Sequence, residues 1–419
     1  MPFLKQLLIL GNGFDLHCGL KSSYDDFFCS TILYDKKNHH ESQQIEIENV
    51  GFWEGLLLEY YNLNGNTYYN WCDIEKIIEE TLLLIYYGES NTLSNLEFGL
   101  GYTALNYTES GENLYTKFIQ HDSPIIRYLF TYCSNYFSNI LIKLFGFRNK
   151  SILDKLNLLS INLLRNLNYL EYRFCQYLKN RIINPDNSSE INVNYVIKAA
   201  DLLTEITGRS LKKFWDNQCI QNLNPNSEIS WGKSFNLSKY LDLSDTYILN
   251  FNYTALFDLL NIQSPCAYNN VHGKLCNKHC TQDCEGANII FGIDDRVIQA
   301  HDVNSELRLF SKTYRKMSDT SSPANILPAN DGTPIVIKFY GHSLSEADYS
   351  YFQSIFDYYN LYGNSNIRLM FYYSKGFEQN DKIYKLINSY GQTLSNQDQG
   401  KNLMHKLLLE NRLKIVEIP

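Results

Sequence analysis

The segment that most constrains the fold is an apolar run followed at once by a glycine turn, Leu7-Leu8-Ile9-Leu10 and then Gly11-Asn12-Gly13. Four consecutive apolar residues predict a short strand that is buried on both faces, as in a parallel sheet. A Gly-x-Gly turn after such a strand lets the backbone approach a ligand, and the next helix offers free N–H groups to a phosphate. The third glycine of the dinucleotide-binding fingerprint is absent, so a tight turn without a ligand is the alternative.

Two later apolar segments also end in small or polar residues. The run 246–250 leads into an Asn-Tyr-Thr turn that contains Asn252, and the run 334–340 leads into His342 and Ser343. A Val-His-Gly turn with His272 lies between them along the chain. Since the carboxyl ends of strands in an open parallel sheet meet at one crevice, we expect these side chains to share a pocket with the first glycine turn.

The alternation of β-rich and helical segments after about residue 240 predicts an α/β domain with a Rossmann-like, mostly parallel sheet. Its strands are expected at 246–250, 288–292, 334–340, 367–373 and 413–418. Before residue 240, apolar residues recur at helical spacing, most clearly at 74–87, 124–144, 152–182 and 193–219. We therefore predict a discontinuous nucleotide-binding domain of residues 1–30 and 240–419, interrupted by a large, mainly helical insertion of residues 31–239.

Charge and hydropathy exclude several classes of protein. The net charge of −8 and the isoelectric point near 5.6 disfavour nucleic acid as a partner, because binding it needs a basic surface. No apolar run approaches the roughly 18 residues of a membrane span, so no membrane partner is expected. The N-terminal residues lead into a strand without the layout of a signal peptide, which predicts a cytoplasmic location.

One group of cysteines has a regular spacing. Cys276, Cys280 and Cys284 recur every four residues, with His279 among them and Cys266 upstream. In a reducing cytoplasm such a group favours a metal over disulfides. The spacing differs from the two-residue knuckle of common zinc ribbons, so a structural zinc site and a cysteine-rich loop without metal both remain open.

The segment Gly11-Asn12-Gly13-Phe14-Asp15-Leu16, with Ser23-Tyr24-Asp25-Asp26-Phe27 after it, resembles the start of the bacteriophage abortive-infection AbiH family. The segments at 71–75, 251–254, 271–273 and 341–344 follow in the order that the family has them. The family is in turn similar to the sirtuin-like domains of bacterial defence proteins. Those domains arrange a glycine-rich turn, an asparagine turn and a His-Gly turn around NAD. The resemblance implies a sirtuin-like sheet, a role in antiphage defence, and NAD as substrate or ligand.

The same resemblance implies catalytic roles for Asn252 and His272. Cleavage of the bond between nicotinamide and ribose requires a positioned water and a shielded oxocarbenium-like transition state. An amide orients the water and a ribose hydroxyl, and a histidine accepts the proton. The alternatives are that Asn252 caps the turn after its strand and that His272 is a turn residue bonded to a carbonyl.

Binding roles are implied for the first turn and for the segment after 340. Gly11, Asn12 and Gly13 are expected to pass beneath the pyrophosphate, with Gly11 a candidate for a positive φ. Gly13→Val is expected to lose nucleotide binding with a modest loss of stability. Asp15 is expected to bond within the turn or to a ribose, and the alternative is a structural role only.

His342 and Ser343 are expected to contact the adenosine half of the nucleotide. The alternative is that Ser343 and Ser345 cap the helix that follows, with Asp348 as an acid in its first turn.

The leading hypothesis is therefore an antiphage abortive-infection effector that hydrolyses NAD, or a related nucleotide, at its N-glycosidic bond. The alternative is a defence module that senses a nucleotide without cleaving it. In either case the expected partners are a nucleotide and a phage-derived trigger or a second copy of the chain.

Overall fold

A computed structural model describes residues 5–33, 51–63, 74–87, 128, 152–182, 193–208, 243–256, 267–275, 289–301, 306–317 and 326–418. The chain divides into two compact units. The first comprises residues 1–23, 175–289 and 316–419, and the second comprises residues 24–174 and 290–315.

The first unit contains a six-stranded sheet in which every neighbouring pair is parallel. Its strands are β1 Lys5–Leu10, β2 Thr246–Asn250, β3 Ala267–Asn270, β4 Ile335–Tyr340, β5 Ile367–Ser374 and β6 Leu413–Ile418. Their order is β3-β2-β1-β4-β5-β6. The prediction that the segments at 7–10, 246–250 and 335–340 belong to one sheet is confirmed, since β1 pairs with both β2 and β4.

The pairing register places the ends of the central strands at the same level. Leu10, the last residue of β1, lies opposite Asn250 of β2 and Tyr340 of β4. Asn250 in turn lies opposite Asn270 at the end of β3. The turns that follow these four strands therefore emerge at one edge of the sheet.

The helices are α1 Asn12–His17, α2 Tyr24–Phe27, α3 Phe52–Leu63, α4 Ile74–Tyr87, α5 Ile152–Ile182, α6 Val193–Thr207, α7 Asp295–His301, α8 Lys312–Lys316, α9 Tyr349–Tyr358, α10 Asn380–Thr393 and α11 Gln397–Leu409. A π-helical turn, Phe28–Ile32, continues α2, and 3₁₀ turns lie at Glu306–Phe310 and Glu346–Asp348. No helix within these described stretches combines the length and apolarity that a membrane crossing requires.

The central strands are buried on both faces of the sheet, which explains why polar and apolar residues do not alternate along them. On one face, β4 packs Ile335, Ile337 and Phe339 into a core shared with α9 and α10. The ring of Phe339 stacks on that of Phe371 in β5 at 4.4 Å between centroids. On the other face, Lys338 is buried and donates from Nζ to the carbonyl of Ile206 at the end of α6 (2.7 Å).

The second unit has an aromatic cluster in which the ring of Phe174 contacts those of Tyr24, Phe27 and Phe291. The strand predicted at 288–292 is wrong for its described part, residues 289–292. The backbone N–H of Phe291 donates to Glu171 Oε1 (2.6 Å), so a side chain takes the place of a neighbouring strand.

The other local predictions had mixed outcomes. The helices at 74–87 and 152–182 are confirmed as α4 and α5. Helix α6 ends at Thr207, before the predicted end, because Gly208 adopts a positive φ of 71° there. The strand β3 was not predicted, because its four residues, Ala-Tyr-Asn-Asn, carry no apolar pattern.

Candidate functional site

The turn after β2 is held by asparagine side chains from two neighbouring strands. Asn250 Oδ1 accepts from the backbone N–H of Asn252 (3.1 Å), which caps the turn. Asn270, at the end of β3, donates from Nδ2 to the carbonyl oxygens of Asn252 (2.6 Å) and Thr254 (3.0 Å). The turn therefore keeps its shape without any contribution from the Asn252 side chain.

The carboxamide of Asn252 is buried and lacks partners. The residue is 2% exposed, and neither Oδ1 nor Nδ2 forms a hydrogen bond to any residue that the structure describes. The alternative that this side chain caps the turn is wrong, since Asn250 provides the cap. A buried polar group without a partner costs about 1–3 kcal/mol, so an amide kept in this state points to a ligand or an ordered water.

His272 lies in the turn after β3, which Gly273 closes with a φ of 82°. The imidazole is buried, and its Nε2 lies 2.8 Å from Asp348 Oδ1. The ring of Phe251, beside Asn252, lies 5.3 Å from that of His272, and the ring of Tyr253 lies 6.4 Å away. The histidine is therefore bonded to a carboxylate and flanked by the residues on either side of Asn252.

His342 follows β4 and contacts the same carboxylate. Its Nε2 lies 3.3 Å from Asp348 Oδ2, and its Nδ1 accepts from the backbone N–H of Leu344 (2.9 Å). An imidazole that accepts at Nδ1 carries its proton on Nε2, which is the atom of His342 that faces Asp348. Leu344 has a positive φ of 53°, a strained conformation that directs its N–H at the ring.

Asp348 thus connects the turn after β3 with the turn after β4. It is 6% exposed and directly precedes α9, whose N-terminal end favours a negative charge. When His272 also donates from Nε2 to this carboxylate, its lone pair is on Nδ1, which makes that atom a proton acceptor. A carboxylate in this position stabilises the imidazolium that forms when the proton arrives.

The glycine turn after β1 packs against the turn after β4. Gly11 has an extended backbone (φ −116°, ψ 179°), so the expectation of a positive φ is wrong. A side chain at Gly11 would overlap the Cα of His342, and a Cβ at Gly13 would lie 2.7 Å from the Cα of Gly341. The expectation that Gly13→Val costs only modest stability is therefore wrong, because the missing side chain of Gly13 makes room for the backbone of Gly341.

Asp15 is fully buried just after this turn. Its Oδ1 accepts from the Tyr195 hydroxyl (2.6 Å) and its Oδ2 from that of Thr254 (2.8 Å). Removal from water raises the pKa of Asp15 from its ordinary 3.8 to about 6, although the two hydroxyls lower it. Nearby, Asn12 is exposed, and its Oδ1 accepts from Ser22 Oγ (2.6 Å).

The structure therefore brings His272 and His342 together through Asp348. The turn at residues 251–254, the asparagine turn, lies beside them, since the ring of Phe251 is 4.5 Å from that of His342 as well. Ser343 is half-buried, and Ser345 precedes the 3₁₀ turn without a side-chain capping bond. Cys276, Cys280 and Cys284 lie outside the described residues. Among the residues that are described, no group of three or more His, Cys, Asp or Glu side chains is arranged so that it could hold a metal ion.

Sequence reasoning missed three members of this network. Asp348 was interpreted only as an acid near a helix start, although its position six residues after His342 was a usable signal. In the sequence, Thr254 is only the last residue of the Asn-Tyr-Thr turn. Tyr195 lies in a helical segment with no local feature that singles it out.

Comparison with known proteins gives one match. The family profile described as bacteriophage abortive infection AbiH matches residues 7–373, a range that includes every site residue described above. Neither the curated proteins nor the solved structures include a match to the chain. Since the profile covers most of the sequence, the chain belongs to the bacteriophage abortive infection AbiH family.

Proposed function

We propose that this protein is an antiphage effector that hydrolyses NAD, or a related nucleotide, at the N-glycosidic bond. The AbiH family suggests the role in abortive infection. The observation that carries the chemical part is the buried Asn252 carboxamide, unpartnered among the described residues, beside a histidine bonded to a carboxylate. This combination supplies both an orienting amide and a proton acceptor.

The sheet supports a nucleotide as the ligand. Its strand order is that of Rossmann-type dinucleotide-binding sheets, which bind ligands outside the carboxyl ends of the strands where the order reverses. In this chain that point lies between β1 and β4, at Gly11 and Gly341. A shallow surface depression at the ends of β4 and β5 is lined by His342, Tyr373 and Gln379, among others. We assign the adenosine half to the surface beside His342 and Ser343, with the glycine turn near the pyrophosphate.

In the proposed reaction Asn252 holds the attacking water and a ribose hydroxyl through its Oδ1 and Nδ2. His272 accepts the proton of that water at Nδ1, while Asp348 stabilises the resulting imidazolium through Nε2. The bond between ribose and nicotinamide breaks with its electron pair leaving on nicotinamide, which departs neutral. The burial of Asn252 and His272 excludes bulk water and strengthens these interactions.

The direct test is the release of nicotinamide from NAD by purified protein. Asn252→Ala, His272→Ala and Asp348→Asn are each expected to lower the rate by about 100- to 10,000-fold. His405→Ala, which removes an exposed histidine of α11, is the matched control and should retain the wild-type rate. The same variants are scored for phage protection and for NAD depletion in infected cells, because a defence enzyme can require its trigger.

Two outcomes would contradict hydrolysis. Full protection by Asn252→Ala and His272→Ala at wild-type protein levels would remove catalysis from these residues. A rise in the melting temperature of the wild type with NAD, without nicotinamide release in vitro or NAD loss in infected cells, would instead support the nucleotide-sensing alternative.

A further inference from the structure

We infer that Tyr195, acting through Asp15 and Thr254, positions the turn that carries Asn252, so that helix α6 controls the alignment of the proposed active site. The catalytic consequence rests on the proposed function. The hydrogen-bond chain and its effect on the turn do not depend on it.

The hydrogen-bond chain from Tyr195 to Thr254 consists of buried groups only. The Tyr195 hydroxyl donates to Asp15 Oδ1 (2.6 Å), and the Thr254 hydroxyl donates to Asp15 Oδ2 (2.8 Å). Tyr195 and Thr254 are each 1% exposed, and Asp15 has no exposed surface. Asp15 therefore uses both oxygens within the protein, which makes it a positioning residue instead of a ligand contact.

Thr254 lies two residues after Asn252 and is held by bonds of two kinds. Its carbonyl accepts from Asn270 Nδ2 (3.0 Å) and from Asn250 Nδ2 (3.3 Å). Its hydroxyl is held by Asp15. Loss of the hydroxyl bond leaves the amide bonds to the main chain in place. The turn then keeps its fold, while the orientation of Asn252 becomes less restricted.

Helix α6 is attached to the sheet at its opposite end. Lys338 Nζ donates to the carbonyl of Ile206 (2.7 Å), and Gln6 Nε2 donates to that of Thr207 (3.4 Å). Both donors belong to the central strands β4 and β1. The C-terminal end of α6 is therefore bonded to the middle of the sheet. Near the N-terminal end of the same helix, Tyr195 connects it to the turn that carries Asn252. A displacement of α6 would change the position of Asp15 and, through it, of Thr254.

The test compares the removal of two buried tyrosine hydroxyls. Tyr195→Phe breaks the chain, whereas Tyr359→Phe removes a hydroxyl that donates to the carbonyl of Pro328 (2.9 Å) away from the asparagine turn. Hydrogen exchange of a peptide covering 250–256 is expected to accelerate about tenfold in Tyr195→Phe and to stay unchanged in Tyr359→Phe. Thr254→Val should accelerate the same peptide, and Thr254→Ser, which keeps the hydroxyl, should restore the wild-type rate.

The double variant Tyr195→Phe/Thr254→Val separates a relay from two independent bonds. In a relay the second substitution adds little, so the exchange of the double variant should match that of Thr254→Val alone. Independent, multiplying effects would overturn the inference, and so would unchanged exchange in Tyr195→Phe. The valine–serine comparison decides the matter if Tyr195→Phe does not fold.

The kinetic arm links the relay to the proposed reaction. Tyr195→Phe should lower kcat for nicotinamide release about tenfold with little change in KM, because orientation of Asn252 matters more in the transition state than in binding. An unchanged kcat in an active enzyme would overturn control of catalysis by α6. Faster exchange at 250–256 in a protein whose wild type cleaves no nucleotide would support the relay and contradict the proposed function.

Discussion

His272 Nε2 lies 2.8 Å from Asp348 Oδ1, so the turn after β3 is bonded to the residue that directly precedes α9. The second oxygen of Asp348 faces His342 at 3.3 Å. One carboxylate thereby orients two imidazoles that come from different strand ends. The hydrogen bond from the Leu344 N–H to His342 Nδ1 places the proton of His342 on Nε2. Asp348 therefore faces a proton of His342 and remains an acceptor for His272.

The burial of Asn252 predicts a conflict between stability and function. Asn252→Leu replaces a buried, unpartnered carboxamide by an apolar group of similar size, and it should raise the free energy of unfolding by about 1–3 kcal/mol while abolishing activity. Asn250→Leu is the matched control. It removes a carboxamide that bonds at both ends and should lower stability. Urea denaturation measures both, and a loss of stability in Asn252→Leu would mean that its amide is already satisfied.

The environment of Asp15 predicts a specific pH dependence. Its pKa is about 6 in the folded protein against 3.8 ordinarily, so the folded state binds this proton more tightly. The contribution of Asp15 to stability is then fully present below about pH 4 and declines as the pH rises through about 6. Relative to Asp15→Asn, the wild type should lose on the order of 3 kcal/mol across this range. Denaturation curves of both proteins from pH 4 to 7 test this, and parallel pH profiles would contradict it.

The contact between two glycine turns predicts that Gly13 is needed for stability. Gly13→Ala places a Cβ 2.7 Å from the Cα of Gly341 and should cost about 1–3 kcal/mol, with the melting temperature as the measurement. Gly51→Ala is the control, because its Cβ would meet its nearest atom at an ordinary 3.4 Å. Equal melting temperatures for Gly13→Ala and wild type would show that the two turns separate freely.

Metal analysis distinguishes the two alternatives for the cysteine group, a structural zinc site and a cysteine-rich loop without metal. If Cys276, Cys280 and Cys284 bind zinc together with His279 or Cys266, metal analysis of purified protein should give about one equivalent. Triple substitution of the three regularly spaced cysteines by serine should remove the metal and lower the melting temperature. Protein that is free of zinc and equally stable would identify the segment as a cysteine-rich loop.

Local sequence patterns were sufficient to predict an element where its burial depends on its own residues. The strand β1 and the helix α5 were predicted with near-correct bounds. Burial of a strand on both faces, or of one stripe of a helix, produces an apolar pattern among residues that are close in sequence. The short strand β3 was not predicted, and the strand at 288–292 was predicted wrongly for its described part, since the partners that hold these segments come from distant parts of the chain.

By itself, the sequence determined the parallel α/β sheet, the glycine turn, and the asparagine and histidine at neighbouring strand ends. The tertiary structure decided which side chains these residues meet. Asp348 bonds His272 across 76 positions, and Asp15 bonds Tyr195 and Thr254 across 180 and 239 positions. Hydrogen bonds are short and directional, so these partners meet only when whole helices and strands pack together. Local periodicity in the sequence does not predict them.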